Sequence, residues 1–242
     1  LDALDAIPRQ EAAGGSAANT MVGVSLLGGK SCYIGKTATD GAGRVYQSSM
    51  SSTGVAFDVA PISGTTGTCL VLVTPDGERT MQSHLGCSTL LTASDIQPTL
   101  ISSSHILYIE GYSLGEPNSA AVVEHAMNIA RASNVPIALT LSDPMLVHQV
   151  LKQVRHIAKK WVDIIFCNEY EAYAYTGFTD REKAIRRINQ DVNLVFVTCG
   201  ADGSLVCRDQ EIQYIKGHQV PVLDTTGAGD NYAAGALYCL TH

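Results

Sequence analysis

Residues 162–203, VDIIFCNEYEAYAYTGFTDREKAIRRINQDVNLVFVTCGADG, decide the architecture of this chain. Two short apolar runs, 162–167 and 194–198, read as strands buried on both faces. Between them, 169–175 and 179–190 read as helices. After the second run, Gly200-Ala201-Asp202-Gly203 turns into a further short strand at 204–207. Strands rich in Val, Ile and Leu that alternate with helices predict a mostly parallel sheet covered on both sides.

The alternation extends in both directions. Toward the N-terminus, 136–141 and 105–109 read as strands. The helices beside them are 144–160, with Pro144 in its first turn, and 117–133. Toward the C-terminus come a short strand at 213–215 and a helix over 227–240. Near the start, Gly14-Gly15-Ser16 leads into a helix over 17–27 that Gly28-Gly29 ends. A strand at 31–37 follows, then a helix over 40–53 with Asp40 at its start and Gly54 at its end. Residues 55–87 differ. Short β-prone pieces at 55–59, 68–73 and 79–83 are separated by turn chemistry, and Thr74-Pro75-Asp76-Gly77 predicts a hairpin turn. The expected fold is α/β: a doubly wound, mostly parallel sheet with helices on both faces, built from residues 14–54 and 88–242. A small β lid spans 55–87, with 1–13 its remnant or a linker.

Composition narrows the function classes. The 242 residues are 45% hydrophobic, enough to bury a sizeable core, and carry a net charge of −7. An acidic chain is repelled by phosphate backbones, so nucleic acid is not the expected partner. No run reaches the roughly 18 apolar residues of a membrane span, and no leader pattern is visible; the expectation is a soluble, cytoplasmic protein with no membrane partner. The seven cysteines are scattered and form no C-x-x-C pair, which predicts buried free thiols rather than disulfides or a zinc site.

The strongest chemical signal is Asp224-Thr225-Thr226-Gly227-Ala228-Gly229-Asp230-Asn231, at the opening of the last helix. Its small residues let the backbone bend closely around a ligand. The N–H groups of Gly227, Ala228, Gly229 and Asp230 are expected to point outward at the positive end of the helix dipole, as an anion site. Asp230 sits at the same helix start. Such a pairing suits phosphoryl transfer: amides take up charge growing on the phosphoryl oxygens while the carboxylate aligns an acceptor hydroxyl and takes its proton. The plain reading is a turn with Asp and Thr as helix caps.

Three further segments could join such a site. Gly14-Gly15-Ser16-Ala17-Ala18-Asn19 offers close backbone approach and one amide side chain that both donates and accepts, as a polyhydroxylated ligand requires; taken alone, tight helix packing is the plainer reading. Asn168 and Glu171 share one helical face at the end of a parallel strand, where ligands bind in such sheets, and their hard oxygens suit Mg²⁺. A helix cap is the alternative. Thr198 and Gly200 lie where another strand ends in a glycine loop and could hold a nucleotide's phosphates or ribose; a simple strand-to-strand turn is the plainer reading. Gly23 to Ser31, GVSLLGGKS, imitates a phosphate-binding loop, but its spacing is one residue too long and it lies at a helix end. No G-x-G-x-x-G is present, which disfavours a dinucleotide redox enzyme.

In this order, GGSAAN at 14–19, PDGERTM ending the flap, ILYIEG at 106–111, NEYE at 168–171, TCGADG at 198–203 and DTTGAGD at 224–230 resemble the PfkB or ribokinase family of carbohydrate and nucleoside kinases. The flap TTGTCLVLVTPDGERTM is most similar to the adenosine-kinase-like branch. The resemblance implies an ATP-dependent phosphotransferase acting on a hydroxyl, expected to be a hydroxymethyl group, of a sugar or nucleoside. It implies Asp230 as the catalytic base and the amides of Gly227, Ala228 and Gly229 as the anion hole. Gly15, Asn19 and Glu110 would bind substrate, and Thr198 and Gly200 would contact ATP. Asn168 and Glu171 would position Mg²⁺ through water, and Asp224 and Thr226 would help hold a monovalent cation such as K⁺. The flap would close over the sugar and exclude water.

The family pattern also has a first strand bearing a sugar-gripping aspartate, for which Asp2 and Asp5 are not credible substitutes, and adenine-pocket elements beyond the catalytic helix. The chain is therefore expected to be incomplete at both ends, which keeps a ligand-binding pseudokinase or sensor on the same fold as the alternative. Monomer and homodimer both remain open.

Overall fold

A computed structural model of the chain describes residues 10–73, 79–221 and 224–242. The first part contains α1 (Ser16–Leu26), α2 (Gly41–Ser52), β1 (Thr68–Val73), β2 (Arg79–His84) and α3 (Pro98–Ser102). Then come β3 (Leu107–Glu110), α4 (Pro117–Ala132), β4 (Ile137–Thr140), α5 (Pro144–Trp161), β5 (Ile164–Asn168), α6 (Glu169–Thr176) and α7 (Arg181–Asn189). The chain continues with β6 (Leu194–Thr198), β7 (Gly203–Arg208), β8 (Glu211–Lys216) and α8 (Ala228–Thr241).

The main sheet has the order β3-β4-β5-β6-β7-β8. Strands β3 to β6 run parallel, joined through helices, while β7 and β8 return antiparallel through tight turns. Alternation along each strand sorts side chains onto two faces. Ile137, Leu139, Ile165, Cys167, Val195 and Val197 enter one core with α4, α5, α6 and α7. Ala138, Ile164, Phe166 and Leu194 enter the other, against Val24 of α1 and Ala233, Ala234 and Leu237 of α8. Both faces are covered, which is why these strands are apolar at nearly every position.

The helix starts fall into two kinds. Asp40, Asp143, Asn168 and Asp180 cap α2, α5, α6 and α7, each accepting from the backbone N–H three residues on. By contrast, α1 and α8 begin at Gly15 and Gly227 and have no side-chain cap. Of their first amides, Ala17 donates to Glu110 and Ala228 to Thr225, while Gly229 and Asp230 have no backbone partner among the described residues.

Residues 31–37 were expected to form a strand. They are instead held by isolated parallel bridges, Cys32 to Ala56 and Ala38 to Ile62. Intervening residues make no ladder, so the segment is extended without being a strand. The same bridges draw 56–62 alongside it, leaving β1 and β2 as a separate two-stranded antiparallel ribbon. That ribbon exposes Leu70, Val71, Leu72, Val73 and Met81. The expected turn at 74–77 and the segment 1–9, with Asp2 and Asp5, lie outside the described residues. All seven cysteines are free, but only Cys87, Cys167, Cys199 and Cys207 are buried; Cys69 and Cys239 are exposed, contrary to a uniform burial of thiols. Among the described residues no helix is long and apolar enough to cross a membrane.

Candidate active site

Helices α1 and α8 cross in close contact because Gly23 has no side chain. A Cβ placed there would lie 2.6 Å from Ala234 Cβ and 3.3 Å from Asn231 Oδ1. One turn toward the N-terminus of each helix stand Asn19 and Asp230, and the crossing brings them together: Asn19 Nδ2 donates to Asp230 Oδ2 over 2.9 Å. Both side chains are half-buried.

Gly227 precedes α8 with φ +73°, in the left-handed region that glycine adopts without strain. One part of the expected anion hole is corrected here. The Ala228 N–H closes a turn onto Thr225 O at 3.1 Å and is spent within the chain. Among the described residues, the amides of Gly227, Gly229 and Asp230 have no backbone partner. Asp224 Oδ1 accepts from both the N–H and the hydroxyl of Thr226, each at 2.8 Å, which shapes the approach to Gly227.

Strand parity places the other groups. Glu110, Thr140, Asn168 and Thr198 end β3, β4, β5 and β6, and each follows by two residues a side chain that faces α1 and α8: Tyr108, Ala138, Phe166 and Phe196. The polar row therefore emerges at the carboxyl edge of the sheet, beneath the start of α8. Phe166 and Phe196 stack at 4.8 Å to form its floor.

Glu110 is half-buried, and desolvation, followed by the charge of Asp230, pushes its pKa up to about 7, opposed by a hydrogen bond from the Ala17 backbone. Glu171 is also pushed up to about 7, chiefly by burial; the Asn168 backbone hydrogen bond opposes this and Asp143 adds to it. Asn168 and Glu171 form a reciprocal cap: Asn168 Oδ1 accepts from Glu171 N–H at 2.9 Å, and Glu171 Oε2 accepts from Asn168 N–H at 3.0 Å. Asn168 Nδ2 also donates to Glu171 Oε1 at 2.7 Å. The cap and the cleft wall are thus one structure.

A cavity of about 270 Å³ is lined by Asn168, Glu171, Thr198, Gly229 and Asp230. On the other side of the Asn19–Asp230 bond, a second cavity of about 400 Å³ is lined by Gly14, Asn19, Asp224, Thr226 and Gly227. Gly15 and Gly200 line neither; both have positive φ and shape the backbone beside them. Glu110 is tied to the site by its hydrogen bond with Ala17 and by the charge of Asp230, which it feels. Ser16, Tyr108, Ser142 and Tyr232 also line the smaller cavity and were not anticipated. Ser142 has φ +69°, a conformation no pattern of residues announces, and its hydroxyl accepts from Gly111 N–H.

Asn168 and Glu171 offer oxygen donors of the kind Mg²⁺ takes. Among the described residues no group of three or more His, Cys, Asp or Glu is placed to hold an ion. The pair therefore fits a divalent ion that keeps most of its shell as water and phosphate oxygen.

The pfkB family carbohydrate kinase model matches residues 8–242. Fructokinase-2 of Solanum habrochaites is 30% identical over 94% of this chain and 72% of its own length. The crystal structure of adenosine kinase from Sinorhizobium meliloti superposes with a TM-score of 0.93 at 36% identity, covering 97% of this chain and 73% of that one. A putative ribokinase II from E. coli, solved in complex with ATP and Mg²⁺, shares the fold with a TM-score of 0.86 at 20% identity, over 98% of this chain and 80% of that one.

Proposed function

The chain belongs to the pfkB family of carbohydrate kinases, and on that premise we propose that it transfers the γ-phosphoryl group of ATP to a hydroxymethyl group of a sugar or nucleoside. The observation that carries this reading is the Asn19–Asp230 bond beside the uncapped start of α8. A carboxylate held by an amide donor stands next to amides left for an anion.

In this reading the acceptor hydroxyl docks between Gly15, Asn19, Glu110 and Asp230. Asp230 takes the hydroxyl proton as the oxygen attacks phosphorus, and ADP leaves with the electrons of the broken P–O bond. The Gly227 and Gly229 amides meet charge on the equatorial oxygens; Ala228 contributes small size rather than a free donor. Thr198 and Gly200 lie on the ATP side. Mg²⁺ held through water by Asn168 and Glu171 would neutralise charge on the phosphates. Asp224 and Thr226 stand beside the loop as the pair for a monovalent cation such as K⁺. Residues 55–87 serve as a lid that closes the β1–β2 ribbon over the acceptor and excludes water.

The test is ADP release coupled to a panel containing adenosine, fructose and ribose. Asp230→Asn should keep the fold and the thermal shift with substrate while lowering kcat by about 10²- to 10⁴-fold. Near-normal turnover in that variant would refute the base assignment. Ligand-induced thermal shifts with no ADP release from any acceptor would identify a sensor instead.

A further inference from the structure

Arg181 opens α7 and reaches two carboxylates at once. Its Nε lies 2.8 Å from Glu169 Oε2 and its Nη1 lies 2.8 Å from Asp202 Oδ2. Glu169 immediately follows Asn168, and Asp202 ends the short 3₁₀ turn Gly200–Asp202 that follows β6. Asn168 and Thr198 pair in register as the last residues of β5 and β6. The guanidinium therefore bridges the carboxyl ends of two adjacent parallel strands, where the polar row opens into the cleft. Tyr173 adds a hydrogen bond from its hydroxyl to Glu169 Oε2 at 3.2 Å, which fixes that end of the bridge.

The turn itself is tied on the opposite side. Asp202 N–H donates to Cys199 O, and Gly217 N–H donates to Asp202 O. Among the described residues no backbone hydrogen bond joins this turn to α6; Arg181 supplies that link. A planar guanidinium suits the task, because its donors point in fixed directions and can hold two carboxylates at a set separation, which a lysine ammonium cannot do.

We propose that Arg181 is a positioning residue for the nucleotide, holding the Gly200–Asp202 turn in place relative to Asn168 and Glu171. This rests on the reading that ATP lies against Thr198 and Gly200. Arg181 is 37% exposed, and exposed ion pairs add little to global stability. Its effect belongs to local order and so to nucleotide binding. A role confined to opening α7 would leave ATP affinity untouched.

In the full chain, Arg181→Ala should raise KM for ATP about five- to tenfold while kcat and KM for the acceptor move by less than about twofold. Amide hydrogen exchange at 200–203 should quicken, with exchange in α7 and the melting temperature unchanged. Arg181→Lys should fail to restore KM. Asp202→Asn should reproduce the effect, and the double variant should add nothing, as expected of one shared interaction. An unchanged KM for ATP, or an equal rise for the acceptor, overturns the proposal. Unmoved exchange at 200–203 overturns the clamp whatever the kinetics. Faster exchange in a chain whose unaltered form binds no ATP overturns the nucleotide assignment instead.

Discussion

Asn19 Nδ2 donates to Asp230 Oδ2 over 2.9 Å, joining residues 211 positions apart in sequence. This bond sets the direction of the carboxylate proposed as base, and its two partners line different cavities of the cleft.

Removing the donor should therefore act on catalysis. Asn19→Ala leaves Asp230 free to rotate, and kcat should fall about 10- to 100-fold while KM for ATP stays within about twofold. Steady-state kinetics with each substrate varied in turn will show this. An unaffected kcat would mean that Asp230 is oriented by other groups.

Gly23→Val tests the crossing that creates the bond. Its Cβ alone would sit 2.6 Å from Ala234 Cβ, so α1 and α8 must separate. Overpacking of this kind costs about 1–3 kcal/mol, measurable by denaturant unfolding. Activity should fall further than the stability loss accounts for, because the shift also parts Asn19 from Asp230. Unchanged stability would show that the helices adapt without strain.

Glu110 and Glu171 each titrate at about 7 in the native state against an ordinary value of 4.5. Between those values the native protein holds protons that the unfolded chain has released. Their contribution to stability is thus complete below about pH 4.5 and is lost as pH rises through about 7. Glu110→Gln should flatten the fall of melting temperature over that window and leave the acid side little changed. A slope identical to that of the unaltered chain would count against the proton-holding state of Glu110.

The Asn168–Glu171 cap can be separated from ion binding. Asn168→Ala should cost about 1 kcal/mol of stability through loss of the cap. Asn168→Ser keeps a capping oxygen, so stability should hold while the Mg²⁺ concentration for half-maximal rate shifts. If both variants lose stability alike, the cap depends on the Asn168 amide donating to Glu171 rather than on its oxygen.

Much of the fold was legible because a parallel sheet leaves plain local marks. Buried strand stretches such as 164–167 and 194–197 are apolar at every position, and Asp40 announces the helix it caps; Asp143 and Asp180 went unread as caps. The segment 31–37 was misread because its β-prone composition says nothing about its neighbours: only two isolated bridges reach it. Residues 85–104 carried no periodic pattern, and they form short turns and α3. In the cleft, the bend at Gly227 was readable from its own loop, and the shared placement of Asn168 and Glu171 from their spacing. The engagement of Ala228 with Thr225 was not, since it depends on how the loop closes. Tyr108, Ser142 and Tyr232 were missed because each looks like an ordinary strand, loop or helix residue until the sheet edge gathers them.

The sequence by itself determined which residues are chemically able to act: a carboxylate after two glycines, an amide in a small-residue helix, and polar residues closing apolar strands. These are local properties, written in spacing and side-chain type. Which of them meet was decided only by tertiary structure. The missing side chain at Gly23 lets two helices touch, and that contact brings Asn19 to Asp230; strand parity and register align Glu110, Asn168 and Thr198 along one edge. Proximity between distant segments depends on packing distances, and no short window of sequence contains them.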